Sequence, residues 1–281
     1  MNRDNELTAD EQTATLADRY SQRAPAYDSL WSPVIRPAGE HLVARLSLSR
    51  SKTIIDIGTG TGALLPAIYT AAPHALVVGV DRSQGMLRLA REKHPGPLVL
   101  MDVQNLAIPD NRFDTAVVAF VLFHLPHPDW CLAEVNRVLR SGGEVGTVTW
   151  GSEEAPRAYD TWNEELQAAG AYVLELPAVD NRACCDSGHK MTGLLEQAGF
   201  GAVKVWSESI EYQWRPEDYF DYQVRSASRL RLLSLADAER EACLQRIRKR
   251  LSRARDEDYV YRGEVFLATA VKGASIAESM A

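Results

Sequence analysis

Thr53-Ile54-Ile55-Asp56-Ile57-Gly58-Thr59-Gly60-Thr61-Gly62 is the stretch whose reading decides the fold of this chain. Its first five residues are mostly β-branched, which suits a strand covered on both faces of a parallel sheet. The strand is expected to reach an aspartate, turn on alternate glycines and enter a helix over residues 63 to about 72. Glycine tolerates backbone angles that a Cβ forbids and lets a ligand come close to the chain. The helix would turn its positive end toward whatever lies over the loop. Such a loop is a nucleoside-cofactor site, and two cofactors compete for it.

Gly58, Gly60 and Ala63 satisfy G-x-G-x-x-G/A, with Asp81 about 20 residues past the turn as ribose partner, which suits a nicotinamide-dependent oxidoreductase. Asp56 opposes that reading, because a carboxylate two residues before the first glycine would face a pyrophosphate. S-adenosylmethionine carries an ammonium, a sulfonium and no phosphate, so the same carboxylate suits it. The downstream acids point the same way. Residues 76–80 read as a second strand ending at Asp81, and residues 98–101 as a third ending at Asp102. Between them a helix is expected from Ser83, its N-cap, to about Lys93. Three acids at strand ends lie along one rim, where open α/β sheets bind ligands.

In Ile55-Asp56-Ile57-Gly58-Thr59-Gly60-Thr61-Gly62, Gly79-Val80-Asp81-Arg82-Ser83, Met101-Asp102-Val103-Gln104-Asn105-Leu106 with Phe113-Asp114, and Val138-Leu139-Arg140-Ser141-Gly142-Gly143, the chain resembles the class I S-adenosylmethionine-dependent methyltransferases. The likeness is to their quinone-biosynthesis and small-molecule branch; it is close over residues 51–150 and weaker at both ends. It implies that Gly58 and Gly60 line the methionine part of the cofactor, Asp81 holds the ribose, and Asp102 with the Val103 amide reads the adenine. It extends the cofactor contacts to Thr59, Arg82, Met86 and Phe120. The implied fold is α/β: a Rossmann-like, doubly wound, seven-stranded sheet, mostly parallel with one antiparallel strand, plus a helical cap. Arg19-Tyr20-Ser21-Gln22-Arg23-Ala24-Pro25-Ala26-Tyr27-Asp28 resembles the N-terminal segment that crosses the cofactor in this family. Tyr20 and Tyr27 are therefore candidate contacts, against the plainer alternative that they pack helices on the sheet.

Composition narrows the function class. The 281 residues are 46% hydrophobic and 25% charged, ordinary for a globular protein with a sizeable core. A net charge of −7 argues against the whole surface being a nucleic-acid binder. No apolar run reaches the length of a membrane span, and the first residues lack a signal-peptide core, so a cytoplasmic enzyme is expected. Its oligomeric state, a homodimer included, is open. Four cysteines show no disulfide framework. Cys184, Cys185, Asp186 and His189 fit no usual zinc spacing, so no metal is expected.

Residues 1–48 are expected to form a helical lid and 49–281 the cofactor-binding domain. Residues 1–10 should be frayed, followed by a helix from Glu11 that Ala24-Pro25 interrupts, and a second from Pro33 to about Leu46. A fourth strand, 115–119, leads into Phe120-Val121-Leu122-Phe123-His124-Leu125, a loop at a strand's C-terminal end. His124 is the titratable side chain placed beside the transfer point, where it acts as a general base or as a structural hydrogen-bonding group. A helix over 129–139 is expected to end on Ser141-Gly142-Gly143. Residues 176–187 read as irregular, and residues 211–263 as an insertion between the last two strands. The insertion opens with Tyr212, Trp214, Tyr219, Phe220 and Tyr222, offered as partial lining for an acceptor, and continues into a basic helix over 246–255. The reading is methyl transfer to the O, N or C atom of a small molecule. The alternatives are an RNA methyltransferase using the basic helix, a nicotinamide-dependent oxidoreductase, or a cofactor binder without turnover.

Overall fold

The β-branched run becomes β1 (Thr53–Ile57), in a computed structural model that describes residues 8–172 and 179–273. It is joined by β2 (Leu76–Asp81), β3 (Leu98–Leu100), β4 (Phe113–Ala119), β5 (Leu139–Glu154), β6 (Phe200–Gln213) and β7 (Val260–Lys272) in the order β3-β2-β1-β4-β5-β7-β6. Strands β1 to β5 pair in parallel, while β7 runs antiparallel to both β5 and β6. The expected doubly wound sheet with one antiparallel strand is therefore the observed one. Ile54, Ile55 and Ile57 are wholly buried, as a strand covered on both faces requires.

Helices α1 (Ala9–Ala26) and α2 (Ser32–Arg45) open the chain, linked by a π-helical turn over Tyr27–Trp31. Helices α3 (Leu65–Ala71), α4 (Gln84–Lys93), α5 (Pro128–Val138), α6 (Ala158–Ala168) and α7 (Gly188–Gln197) connect the strands. Ser83 caps α4 as expected, its hydroxyl accepting the Met86 N–H. Helix α2 lies close on β5, where a Cβ on Gly146 would come within 2.9 Å of Leu46 and 3.1 Å of Leu42.

Three local expectations fail, each for a tertiary reason. Pro25 does not end a helix: α1 continues through it, because Ala24 and Ala26 are buried on either side and Ser21, one turn earlier, is locked against α4. A Cβ on Gly85 of α4 would lie 2.5 Å from the Ser21 carbonyl, so the two backbones touch. The π-helical turn after Pro25 then absorbs the change in hydrogen-bond register. Gly142 does not cap α5, which stops at Val138; Leu139 is already extended and pairs with Phe113, and Gly142 (φ +73°) bends the start of β5. Helix α3 begins at Leu65 and spans seven residues, because the turn on Gly58, Gly60 and Gly62 uses more chain than the spacing suggests. Of residues 1–10, expected to be frayed, 1–7 lie outside the described residues, as does 176–178 of the irregular stretch, whereas Thr8 caps α1 and Ala9 and Asp10 are helical, because Thr8 and Glu11 form a reciprocal capping box.

The insertion folds into α8 (Pro216–Tyr222), α9 (Arg229–Leu233) and α10 (Asp237–Leu251). Cys243, Ile247 and Leu251 turn the buried face of α10 inward, and Trp162 of α6 meets Phe220 edge-on at 5.3 Å. The basic face of α10 is largely engaged within the protein. Arg246 and Arg250 both bind Glu165 of α6, at 2.8 and 3.0 Å, and Arg250 reaches Glu164 at 2.6 Å. Arg248 lies 4.3 Å over the Phe220 ring, and Arg255 pairs with Glu257. Cys185 is buried with its Sγ 3.1 Å from Thr149 Oγ1, and no metal-binding group of His, Cys, Asp and Glu occurs among the described residues.

Hydrogen bonds from Arg246, aided by Arg250, hold the Glu165 carboxyl below its usual range. Glu165→Gln should therefore lower unfolding stability by about 1 kcal/mol at pH 7, since both arginines are half exposed and partly screened. A carboxyl lowered in the folded state stabilises it fully above the unfolded value of about 4.3 and loses that effect as pH falls through the folded value. The gap between wild type and variant, read from urea midpoints, should thus narrow with acidification.

Candidate cofactor and acceptor site

The glycine loop is built around Asp81. One carboxylate oxygen of Asp81 accepts the Gly60 N–H at 2.9 Å and the other accepts the Ser83 N–H at 2.7 Å. Gly58 and Gly60 both take positive φ, +68° and +55°, in the left-handed region that favours glycine. A Cβ on Gly58 would collide with Val121 at 2.3 Å, whereas one on Gly60 would meet nothing nearer than a carbonyl at 3.9 Å. Gly60 thus keeps open the space that its own side chain would fill, and it lines two adjoining cavities.

The first of these cavities brings together Gly58, Gly60, Asp81, Arg82, Met86, Asp102, Val103 and Phe120, eight of the residues expected to contact a cofactor. Arg82 donates to Asp102 at 3.1 Å, and the other Asp102 oxygen accepts the Gln104 N–H, so this acid is oriented from two sides. Thr13, Leu16, Ala17 and Tyr20 of α1 roof the space. The second cavity holds Asp56 and Thr59 beside Tyr27, Gly58 and Gly60. Burial pushes the Asp56 carboxyl up to about 7, and the neighbouring Asp81 charge adds to the shift. Among the described residues Asp56 has no ion-pair partner, while Arg36 stands on the same cavity wall.

A buried acid and an arginine facing one cavity fit the ammonium and carboxylate of an amino acid. A carboxylate at the end of β2, next to the Arg82–Asp102 pair, fits a ribose and a base. The residues present therefore fit S-adenosylmethionine: Asp56, Arg36 and the glycine loop toward its methionine part, Asp81, Met86, Asp102 and Val103 toward its nucleoside.

A third and larger cavity, of about 400 Å³, lies on the far side of Tyr27 and Phe120. These two side chains line all three cavities, and Tyr20 and His124 line two of them. Phe120 reaches the junction in a left-handed conformation (φ +58°) that is uncommon for a residue with a side chain, held by its N–H bond to Val148 and its ring 4.9 Å from Trp150. His124 Nε2 is 2.8 Å from the Tyr20 hydroxyl. Burial, with the charge of Arg23, drives the His124 imidazole down to about 3, so it is neutral at physiological pH. Of the five insertion aromatics, only Tyr222 lines the larger cavity; Trp214, Tyr219 and Phe220 are buried in the cap, and Tyr212 packs on Trp214.

Sequence reasoning missed Arg36, Trp31 and the arginines of the larger cavity. The helical setting of 9–45 carried the one signal for Arg36, Trp31, Arg19 and Arg23, and nothing local marked Arg182 or Arg229, because these elements are brought to the sheet's rim by packing that no local pattern encodes.

Residues 55–146 match the family model of a methyltransferase domain. A ubiquinone/menaquinone biosynthesis C-methyltransferase, UbiE, of Burkholderia mallei (strain SAVP1) is 33% identical over 182 residues, which cover 59% of this chain and 74% of that protein. Among solved structures, the [4+2]-cyclase SpnF superposes with a TM-score of 0.59 at 18% identity, covering 94% of this chain and 98% of that one. The YcgJ protein of Bacillus subtilis superposes with a TM-score of 0.53 at 17% identity, covering 85% and 100%. The two structural likenesses show a shared fold.

Two outcomes follow from this geometry. Asp81→Ala should weaken S-adenosylhomocysteine binding by about 1.5–3 kcal/mol, the range for hydrogen bonds to a charged group, and titration calorimetry reads it directly. Asp56 must ionise to hold an ammonium, so wild-type affinity should fall below pH 7 by up to about tenfold per unit. Asp56→Asn should bind more weakly at pH 8 and show no such dependence; an equal slope in both proteins would remove Asp56 from the site.

Proposed function

The chain belongs to the class I S-adenosylmethionine-dependent methyltransferases, in their quinone-biosynthesis and small-molecule branch, and from that premise we propose that it methylates a small organic molecule held in the larger cavity. The observation that carries this reading is the junction at Tyr27 and Phe120, where the two compartments lined by the candidate cofactor residues meet the larger cavity. When bound, S-adenosylmethionine supplies a methyl group on a sulfonium, which becomes a neutral thioether as the acceptor displaces it. The chain's part is alignment and exclusion of water. Tyr27, Phe120 and Tyr20 enclose the junction with ring faces, and α1 roofs it. C-methylation by the named relative makes carbon the first acceptor atom to assay.

His124 acts here as a positioning residue. A neutral imidazole 2.8 Å from the Tyr20 hydroxyl holds that ring across the junction, and a basicity lowered to about 3 suits it poorly as a proton acceptor. The basic helix favours a small acceptor over RNA, because Arg246 and Arg250 are held by Glu164 and Glu165. No helix among the described residues is long and apolar enough to cross a membrane, in keeping with work in the cytoplasm.

Incubation with methyl-labelled S-adenosylmethionine and separate pools of small metabolites and RNA tests the reading: label should appear in a small product. Label confined to RNA would overturn it. His124→Gln should lower kcat by less than about tenfold, where loss of a general base costs about 10²–10⁴, and the kcat profile should lack a limb near pH 6.5.

A further inference from the structure

The wall of the larger cavity carries more positive charge than the protein itself compensates. Arg19, Arg23, Arg182 and Arg229 line it against two carboxylates, Glu153 and Asp180. Both acids are held by Arg182: one guanidinium nitrogen reaches Glu153 at 2.6 Å, and two others reach Asp180 at 3.0 and 2.8 Å. Among the described residues neither Arg23 nor Arg229 makes an ion pair. The Arg23 Nε–H is buried without a hydrogen-bond acceptor, although its guanidinium lies 4.2 Å over the Tyr20 ring. Arg19 stands close enough that the Arg23 charge, after burial, lowers its basicity. Like charges gathered in a partly desolvated space, with a buried donor left over, are completed by an anion.

Much of the remaining lining is aromatic. Trp31 stacks on Tyr222 with ring centroids 5.2 Å apart and planes 10° apart, and Trp150 lies 6.1 Å from Trp31. Flat, weakly polar faces of this kind bind rings. We propose that the acceptor is an aromatic acid, its ring among the Trp31, Trp150 and Phe120 side chains that line the cavity and its carboxylate received by Arg23 and Arg229. The assignment rests on the small-molecule reading above. It separates this chain from an enzyme for a neutral quinol, which would bring no negative charge to Arg23 and Arg229.

The test compares 2-naphthoate with 2-naphthamide, the same ring with and without the charge, titrated into the full chain with saturating S-adenosylhomocysteine at pH 7.5. The acid should bind at least about tenfold more tightly, in line with charge-assisted hydrogen bonds to arginine. Arg229→Gln and Arg23→Gln should each bring the two ligands within about threefold, without weakening the amide to the same extent. Arg229→Lys should keep part of the preference. Equal affinity of the two ligands for wild type, or binding of neither, overturns the proposal even if a variant fails to fold. A preference that survives in both Gln variants overturns it as well. Transfer of label to no small molecule would sink the methyl-transfer reading alone, because the acid-to-amide ratio is measured without turnover.

Discussion

The carboxylate of Asp81 ties the site together. Its two oxygens hold the Gly60 and Ser83 amides, so one side chain joins the glycine loop after β1 to the first turn of α4. Ser83 passes the constraint on, with its hydroxyl 2.8 Å from that of Ser21 on α1, while Ser21 in turn accepts the Gly85 N–H. The roof helix is thereby docked on the element that Asp81 positions. The preceding residue of the same helix, Tyr20, meets His124 from the loop after β4. Loop, roof and junction are one hydrogen-bonded unit. Burial raises the Asp81 carboxyl and its three amide bonds lower it, so the acid's charge depends on the loop geometry that it organises.

Charge is distributed unevenly over the molecule, and the distribution separates scaffold from site. On the cap, Arg246 and Arg250 close on Glu165; on the sheet, Arg140 closes on Asp114; beside α5, Arg137 closes on Glu134 and Asp110. These pairs fasten one element to another. Around the cavities the pattern changes: among the described residues Asp56 is buried with no cation paired to it, and Arg23 and Arg229 have no anion. Leaving a charge desolvated and unpaired is costly, so such groups mark where a ligand's charges complete the structure. The negative member lies in the compartment suited to an ammonium, and the positive members lie in the one suited to an acceptor.

Much of this was legible in the residues themselves. The β-branched run 53–57, the alternate glycines and the acids closing successive strands are local features, and each acts through its own backbone: a strand covered on both faces, φ angles that exclude a Cβ, a side chain at a strand's end. They determined the parallel sheet, the gathering of Asp81, Asp102 and Val103 in one cavity, and the place of His124 beside the junction. Tertiary structure decided the rest. Pro25 continues a helix because burial of Ala24 and Ala26 outweighs a missing N–H, and Gly142 lies in a strand because Leu139 pairs with Phe113. Arg36 shares a cavity with Asp56, Trp31 stacks on Tyr222, and Arg23 shares a cavity with Arg229 only because α1, α2 and the cap converge on the same rim. Contacts between segments so far apart in the chain carry no periodic signature, since they depend on how whole elements pack. The cofactor's compartment was therefore written locally, and the acceptor's was assembled by the fold.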